Sequence, residues 1–291
     1  MKHILITGAN GQLGSELQDL LKKRKKILFT DIKSSDNVRV LDICNLKDVE
    51  RFVIEYNIGL IINCAAYTDV DKAEIDKDVC NKINTDGALN LAKAAKKYDA
   101  SLIQISTDYV FDGKKQRGTY KESQPCHPKS VYGMSKRKAE VAIRRTGCKG
   151  IIIRTAWLYS TYGKNFVKKM IQLGLEKTEI GVVADQIGTP TYARDLAKAI
   201  IKIIPQIEEK RGEIFHFTNE GKCSWFEFAS MIMLYKKIDC RINPLSTAEY
   251  PTKAERPQYS LLDKSKIRET FGVETRWWNI SLRECLNKLP K

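Results

Sequence analysis

A chain of 291 residues with 43% hydrophobic and 29% charged residues has the composition of a folded globular protein with a sizeable core. No apolar run is long enough to span a bilayer, and the first strand-like run starts at residue 3, so neither a membrane anchor nor a signal peptide is expected. The formal charge of +15 comes from lysines dispersed along the chain, which points to small phosphorylated ligands rather than nucleic acid; the eight cysteines form no C-x-x-C pair, which argues against a zinc or redox motif and suits a reducing cytoplasm.

Residues 3–7 read as a strand and lead into Thr7-Gly8-Ala9-Asn10-Gly11-Gln12-Leu13-Gly14. The spacing G-x-x-G-x-x-G between a strand and a helix makes a seat for a pyrophosphate, because the backbone can approach closely and the helix end offers unpaired N–H groups. By itself the triplet also fits a plain strand–turn–helix corner. Leu13, Leu17, Leu20 and Leu21 then recur at helical spacing, and Lys22-Lys23-Arg24-Lys25-Lys26 suits the end of that helix. Residues 26–31, ending at Asp31, predict a second strand and 38–41 a third. Leu46, Val49, Phe52, Val53 and Tyr56 predict an amphipathic helix. A fourth strand at 60–63, a long helix over 79–98, a fifth strand at 102–106, a helix over 131–146 and a sixth strand at 150–154 complete the alternation.

This β-α-β rhythm predicts an α/β fold, a doubly wound parallel Rossmann-like sheet. After residue 160 the rhythm changes. Helices are expected at 164–176, 192–204 and 225–237, with a strand at 213–217, and 241–262 carries Pro244, Pro251 and Pro257 with little periodicity. The expected division is a dinucleotide-binding domain at 1–160, with elements near 188–219 returning to it, and a smaller, mixed C-terminal substrate lobe at 161–187 and 220–291.

Two further segments carry chemistry. Tyr132 and Lys136 are four apart on the helix over 131–146 and so share a face. An ammonium beside a phenol is expected to lower the tyrosine pKa towards neutrality and to equip it to give a proton to a carbonyl oxygen. The same spacing also fits an exposed pair on a lysine-rich helix. Ser106-Thr107-Asp108 follows the fifth strand, where open parallel sheets bind ligands. A hydroxyl there can hold the reacting oxygen, or simply end the strand in a turn.

In combination these segments resemble the extended short-chain dehydrogenase/reductase family. The stretches that carry the resemblance are ITGANGQLGSEL (6–17), INCAAYTDVDKAE (62–74), ISTDYVFDG (105–113), VYGMSK (131–136) and IRTAWLY (153–159). DQIGTPT (185–191) and RPQYSLLD (256–263) lie outside the generic pattern and resemble the dTDP-4-dehydrorhamnose reductases within that family. The resemblance implies a catalytic set of Thr107, Tyr132 and Lys136. It implies cofactor contacts from Gly8, Asn10, Gly11, Gln12, Leu13 and Gly14 around the pyrophosphate, Asp31 at the ribose, Asp42 and Ile43 at the adenine, and Ala65, Ala66 and Tyr67 along the path. For the substrate, a dTDP-sugar, it implies Thr107, Trp157, Asn165 and Arg256, the last near a phosphate. Asp31 opposes a 2′-phosphate by like charge, whereas Lys33 and Ser34 can hold one; the family implies NADPH with NADH tolerated. Another nucleotide-sugar reductase or epimerase, or a non-catalytic dinucleotide-binding subunit, would share much of this pattern. Three departures stand out: Cys64 for a common alanine, Ser130 for a common asparagine, and Arg194 for a glutamate. In some relatives that glutamate, with one matching Glu16, holds a bridging magnesium between two subunits. A cation at Arg194 predicts no metal there, and any homodimer would form without that bridge.

Overall fold

The computed structural model describes residues 2–290. The first half contains strands β1 (His3–Thr7), β2 (Ile27–Asp31), β3 (Val38–Val40), β4 (Ile58–Asn63), β5 (Ser101–Thr107) and β6 (Lys149–Thr155). Between them lie helices α1 (Gln12–Leu21), α2 (Leu46–Glu55), α3 (Val70–Ala73), α4 (Lys77–Asn81), α5 (Ala88–Lys97) and α6 (Val131–Thr146). The second half contains β7 (Leu158–Tyr159), α7 (Phe166–Glu176), β8 (Glu179–Val183), β9 (Ile187–Gly188), β10 (Thr191–Tyr192), α8 (Ala193–Ile203) and β11 (Arg211–His216). It ends with β12 (Cys223–Ser224), α9 (Trp225–Lys236), β13 (Arg241–Leu245), α10 (Ser265–Phe271) and α11 (Trp278–Lys288).

Seven strands form one sheet in the order β11-β6-β5-β4-β1-β2-β3, and every pairing in it is parallel. Such strands are covered on both faces, which is why β4 reads as a near-continuous apolar run, IGLIIN. On one face α2, α5 and α6 bury Val49, Phe52, Leu91, Ala95 and Ile143 against Leu5, Ile61 and Leu102. On the other, α1, α8 and α10 bury Leu13, Leu17, Leu196, Ile200 and Ile267 against Ile6, Ile62 and Ile153. Each fully buried Leu or Ile contributes about 1.5–3 kcal/mol of transfer free energy. A separate core lies among α7, α9 and α11, around Tyr159, Val167, Phe228, Ile232 and Leu282, with β8 and β13 paired in parallel beside it. Among the described residues no helix is long and apolar enough to cross a membrane.

Several expectations change in detail. The helix expected over 79–98 is α4, a π-helical stretch at Lys82–Gly87 and then α5. The wide turn frees Asn84 to reach sideways, its amide bonding both backbone groups of Tyr67. The third strand stops at Val40, and Leu41 instead donates its N–H to the Asp31 carbonyl. The stretch 241–262 holds the strand β13, despite Pro244, because its partner β8 supplies the pairing. Helices α10 and α11 were not anticipated.

Candidate active site

Between β4 and β1 the chain order of the sheet reverses, and a cleft of about 720 Å³ opens along the carboxyl ends of the strands there. At its floor the glycine turn leaves β1. Gly8 has φ +66, and a Cβ on it would lie 2.4 Å from the Ala65 nitrogen. Gly14 lets α1 sit directly on the turn, since a Cβ there would come within 2.3 Å of the Gly8 carbonyl oxygen. Gly11 is the N-cap of α1, and no side chain caps this helix end. With Gly11, Gln12 and Leu13 on the cleft wall, the free N–H groups of the first turn make a fitting seat for a dinucleotide pyrophosphate.

Gly8, Asp31, Asp42, Ile43, Ala65 and Ala66 also line the cleft. The Asp31 carboxylate braces its own surroundings, accepting the N–H groups of Asn10 at 3.0 Å and Ile32 at 2.7 Å. Asp42 accepts the Cys44 N–H at 2.8 Å, and Ile43 is buried against Gly87. Ala65 is held by the buried Asn63, whose Oδ1 accepts its N–H at 3.1 Å.

Thr107 at the end of β5 and Tyr132 and Lys136 on one face of α6 meet in this same cleft. Ser130 caps α6 by accepting the Gly133 N–H at 3.1 Å, which sets the turn before Tyr132. The Thr107 hydroxyl donates to Asp108 Oδ1 at 3.1 Å and accepts the Tyr109 N–H. Lys136 is buried, and its Nζ donates to the Ile105 carbonyl at 2.6 Å. Removal from water lowers the Lys136 pKa from 10.5 to about 8. The expected lowering of the Tyr132 pKa is not found. Burial pushes it up from 10, contact with the Thr107 hydroxyl opposes that only in part, and Lys136 does not offset it. The ammonium is committed to the Ile105 carbonyl instead of the phenol.

Four anticipated residues lie off the cleft wall. Asn10 ties down the loop after β2, its Nδ2 donating to the Lys33 carbonyl and its Oδ1 accepting from the Ser35 hydroxyl. Gly14 serves helix packing. Tyr67 turns its hydroxyl to Asp76 at 3.0 Å while Asn84 holds its backbone. Arg256 makes a two-pronged pair with Asp71, at 3.1 and 2.7 Å, and this guanidinium holds the Asp71 carboxyl below its ordinary pKa of 3.8. The pair with Asp71 fixes the guanidinium in place and uses two of its five N–H donors. Trp157 and Asn165 do line the cleft, and Asn165 both caps α7 and donates to Gln12 Oε1 at 3.1 Å. Arg194, on α8, lies elsewhere and bonds Glu16 at 3.0 Å and Asp19 at 2.7 Å.

Two lining residues with charged side chains escaped the reading of the sequence. Asp108, next to Thr107, is almost fully buried; burial raises its pKa to about 6, and its Oδ2 has no hydrogen-bond partner among the described residues. Its place in the strand-end motif was a visible signal. Lys164 lines the cleft immediately before the N-cap of α7. A cation there runs against the helix dipole, which was the signal to notice.

A glycine turn with a free helix N-terminus, opening into the same cleft as Thr107, Tyr132 and Lys136, is the arrangement of a nicotinamide-dependent oxidoreductase of the short-chain dehydrogenase/reductase class. The chain belongs to the RmlD substrate binding domain family, which it matches over residues 1–290. It is 40% identical to a dTDP-4-dehydrorhamnose reductase of Aggregatibacter actinomycetemcomitans, over 97% of this chain and 98% of that one. Its structure is similar to that of a dTDP-4-dehydrorhamnose reductase from Clostridium acetobutylicum, with a TM-score of 0.91, 44% identity and 99% of each chain covered. It is also similar to the dTDP-4-dehydrorhamnose reductase of Bacillus anthracis in complex with NADP, with a TM-score of 0.92 and 41% identity over 99% of this chain and 100% of that one.

Proposed function

We propose that the chain reduces the 4-keto group of dTDP-4-dehydro-L-rhamnose to dTDP-L-rhamnose with NADPH. The observation that carries the reading is the meeting of Thr107, Tyr132 and Lys136 in the cleft that also holds the uncapped N-terminus of α1. When bound, NADPH supplies the hydride for C4 of the sugar. Tyr132 holds the proton that the C4 oxygen takes; with its pKa held up by burial, the phenol is protonated at neutral pH, as a donor for reduction must be. Lys136 sits one helical turn on, and its ammonium, anchored on the Ile105 carbonyl, keeps two further donors with which to hold the nicotinamide ribose. Thr107 fixes the position of the C4 oxygen, and its own orientation comes from Asp108.

Around the dinucleotide, Gly8, Gly11, Gln12 and Leu13 hold the pyrophosphate, and Asp31 retains lone pairs to accept from a ribose hydroxyl. The side chains of Lys33 and Ser34 are exposed in the loop that follows Asp31, where a 2′-phosphate would lie, so NADPH is accepted and NADH tolerated. Trp157 and Asn165 face the sugar nucleotide. In this reading residues 1–160, with elements near 188–219, bind the dinucleotide, while 161–187 and 220–291 grip the dTDP-sugar, and that binding energy positions the ketone. Eight free cysteines suit a reducing cytoplasm. The test is to follow NADPH oxidation with the dTDP-keto sugar and to identify the product by NMR. Stoichiometric dTDP-L-rhamnose is expected; turnover only with a different nucleotide sugar, or none at all, overturns the proposal.

A further inference from the structure

Trp157 is the one cleft residue other than glycine whose backbone lies in the left-handed region, at φ 48. A bulky side chain there is strained, and such strain persists only where the surroundings over-determine it. Three contacts do so. The Trp157 carbonyl accepts the Thr191 N–H at 3.1 Å. Gly188 lies so close that a Cβ on it would come within 2.5 Å of Trp157 Cε2. The ring of Trp225 stacks on that of Trp157 with centroids 3.5 Å apart and planes 8° from parallel. The last two contacts are delivered together, because β12 pairs with β9 so that Cys223 faces Gly188 and Ser224 faces Ile187, which brings Trp225 in next. Trp225 is not on the cleft wall; it leans on Phe166 and lies near Phe228, in the core of the second lobe.

We propose that Trp225 is a positioning residue for the nucleotide-sugar substrate: it does not meet the ligand, and by stacking on Trp157 it holds that indole in its strained pose at the substrate end of the cleft. This rests on the reading of Trp157 as a substrate contact. The ring pair thereby joins the aromatic core of the second lobe to Trp157, so packing around α9 tunes substrate affinity without touching the dinucleotide seat.

The test compares Trp225→Ala, Trp225→Phe, Gly188→Ala and Trp157→Ala by steady-state kinetics with the dTDP-keto sugar and NADPH varied in turn. Trp225→Ala is expected to raise KM for the sugar about tenfold, the size of a lost aromatic pair, with KM for NADPH unchanged. Trp225→Phe should recover most of this, and Gly188→Ala, which displaces Trp157 while leaving Trp225 in place, should raise the sugar KM again. A far-ultraviolet exciton couplet from the stacked indoles should be present in the parent and absent from both Trp225→Ala and Trp157→Ala. A sugar KM that moves in Trp157→Ala alone overturns the role of Trp225 and leaves the substrate reading standing. If it moves in none of the four, the substrate reading itself fails. If Trp225→Ala does not fold, Trp225→Phe and Gly188→Ala decide, and an unchanged sugar KM in both overturns the proposal. Equal loss of affinity for sugar and NADPH, with a lowered melting temperature, makes Trp225 a packing residue only and also overturns it.

Discussion

Lys136 is 3% exposed, and its Nζ bonds the Ile105 carbonyl; burial brings its pKa from 10.5 down to about 8. Between those two values the folded chain binds fewer protons at this site than the unfolded chain. Stability therefore rises with pH across about 8 to 10.5, because the cost of burying the ammonium is relieved as it deprotonates. The difference in unfolding free energy between the parent and Lys136→Met should grow in favour of the parent through that window, as read by urea titration at several pH values. Activity should run the other way. The kcat/KM for NADPH, which reports the free enzyme, should fall as pH rises through about 8, and in Lys136→Arg that break should vanish from whatever activity remains, since a guanidinium does not deprotonate there. Tyr132 needs no lowered pKa to act as a donor, only a proton and a position. Tyr132→Phe removes the first and keeps the ring, so turnover should drop by about 10²–10⁴-fold while the dinucleotide dissociation constant stays near that of the parent in a fluorescence titration.

The broken helix from α4 to α5 shows what an element can do for a site it does not enter. In the π-helical stretch at Lys82–Gly87, Asn84 accepts the Tyr67 N–H at 2.8 Å and donates to the Tyr67 carbonyl at 3.1 Å and to the Ser135 hydroxyl at 3.0 Å. One buried amide thus fastens the loop after β4, with its Ala65 and Ala66, to α6, with its Tyr132. Asn84→Ala should cost about 1–3 kcal/mol, the penalty of stranding buried backbone groups, and should weaken dinucleotide binding as the loop loosens. Urea unfolding and NADPH titration of the same variant check both effects. Nothing in the apolar periodicity over 79–98 announced the break, because a single added residue in one turn barely alters that pattern. Local features were legible: the glycine turn, the face shared by Tyr132 and Lys136, and the strands buried on both sides, each written within a few residues. Features needing a distant partner were not. The partner of Arg256 is Asp71, 185 positions away. The strand β13 is unremarkable without β8, and the stack of Trp225 on Trp157 exists only through the pairing of β9 with β12.

At the scale of the molecule, one buried carboxylate links the pieces that surround the dinucleotide seat. Glu16 on α1 is fully buried; it accepts the Ser160 hydroxyl at 2.7 Å and pairs with Arg194 of α8 at 3.0 Å. Arg194 reaches Asp19 as well, at 2.7 Å, and holds that carboxyl below its ordinary pKa. Ser160 in turn offers its carbonyl to Asn165, whose amide also meets Gln12 on the cleft wall. Two helices and the segment leading into α7 are thus joined through a guanidinium placed between two carboxylates. Where some relatives are expected to use a divalent cation beside the equivalent of Glu16, this chain carries its own positive charge, and a second cation would be repelled. Two outcomes follow. Metal analysis of the purified protein should find no stoichiometric magnesium, and chelator should leave both its oligomeric mass in light scattering and its melting temperature unchanged. Arg194→Met should cost about 3–5 kcal/mol, because it leaves Glu16 charged, buried and stripped of its counter-ion. In that variant the repulsion is gone while both carboxylates remain, so added Mg²⁺ should raise the melting temperature of Arg194→Met and leave that of the parent where it was. A chelator-sensitive parent, or a variant as stable as the parent, would show that the guanidinium does not hold these pieces together.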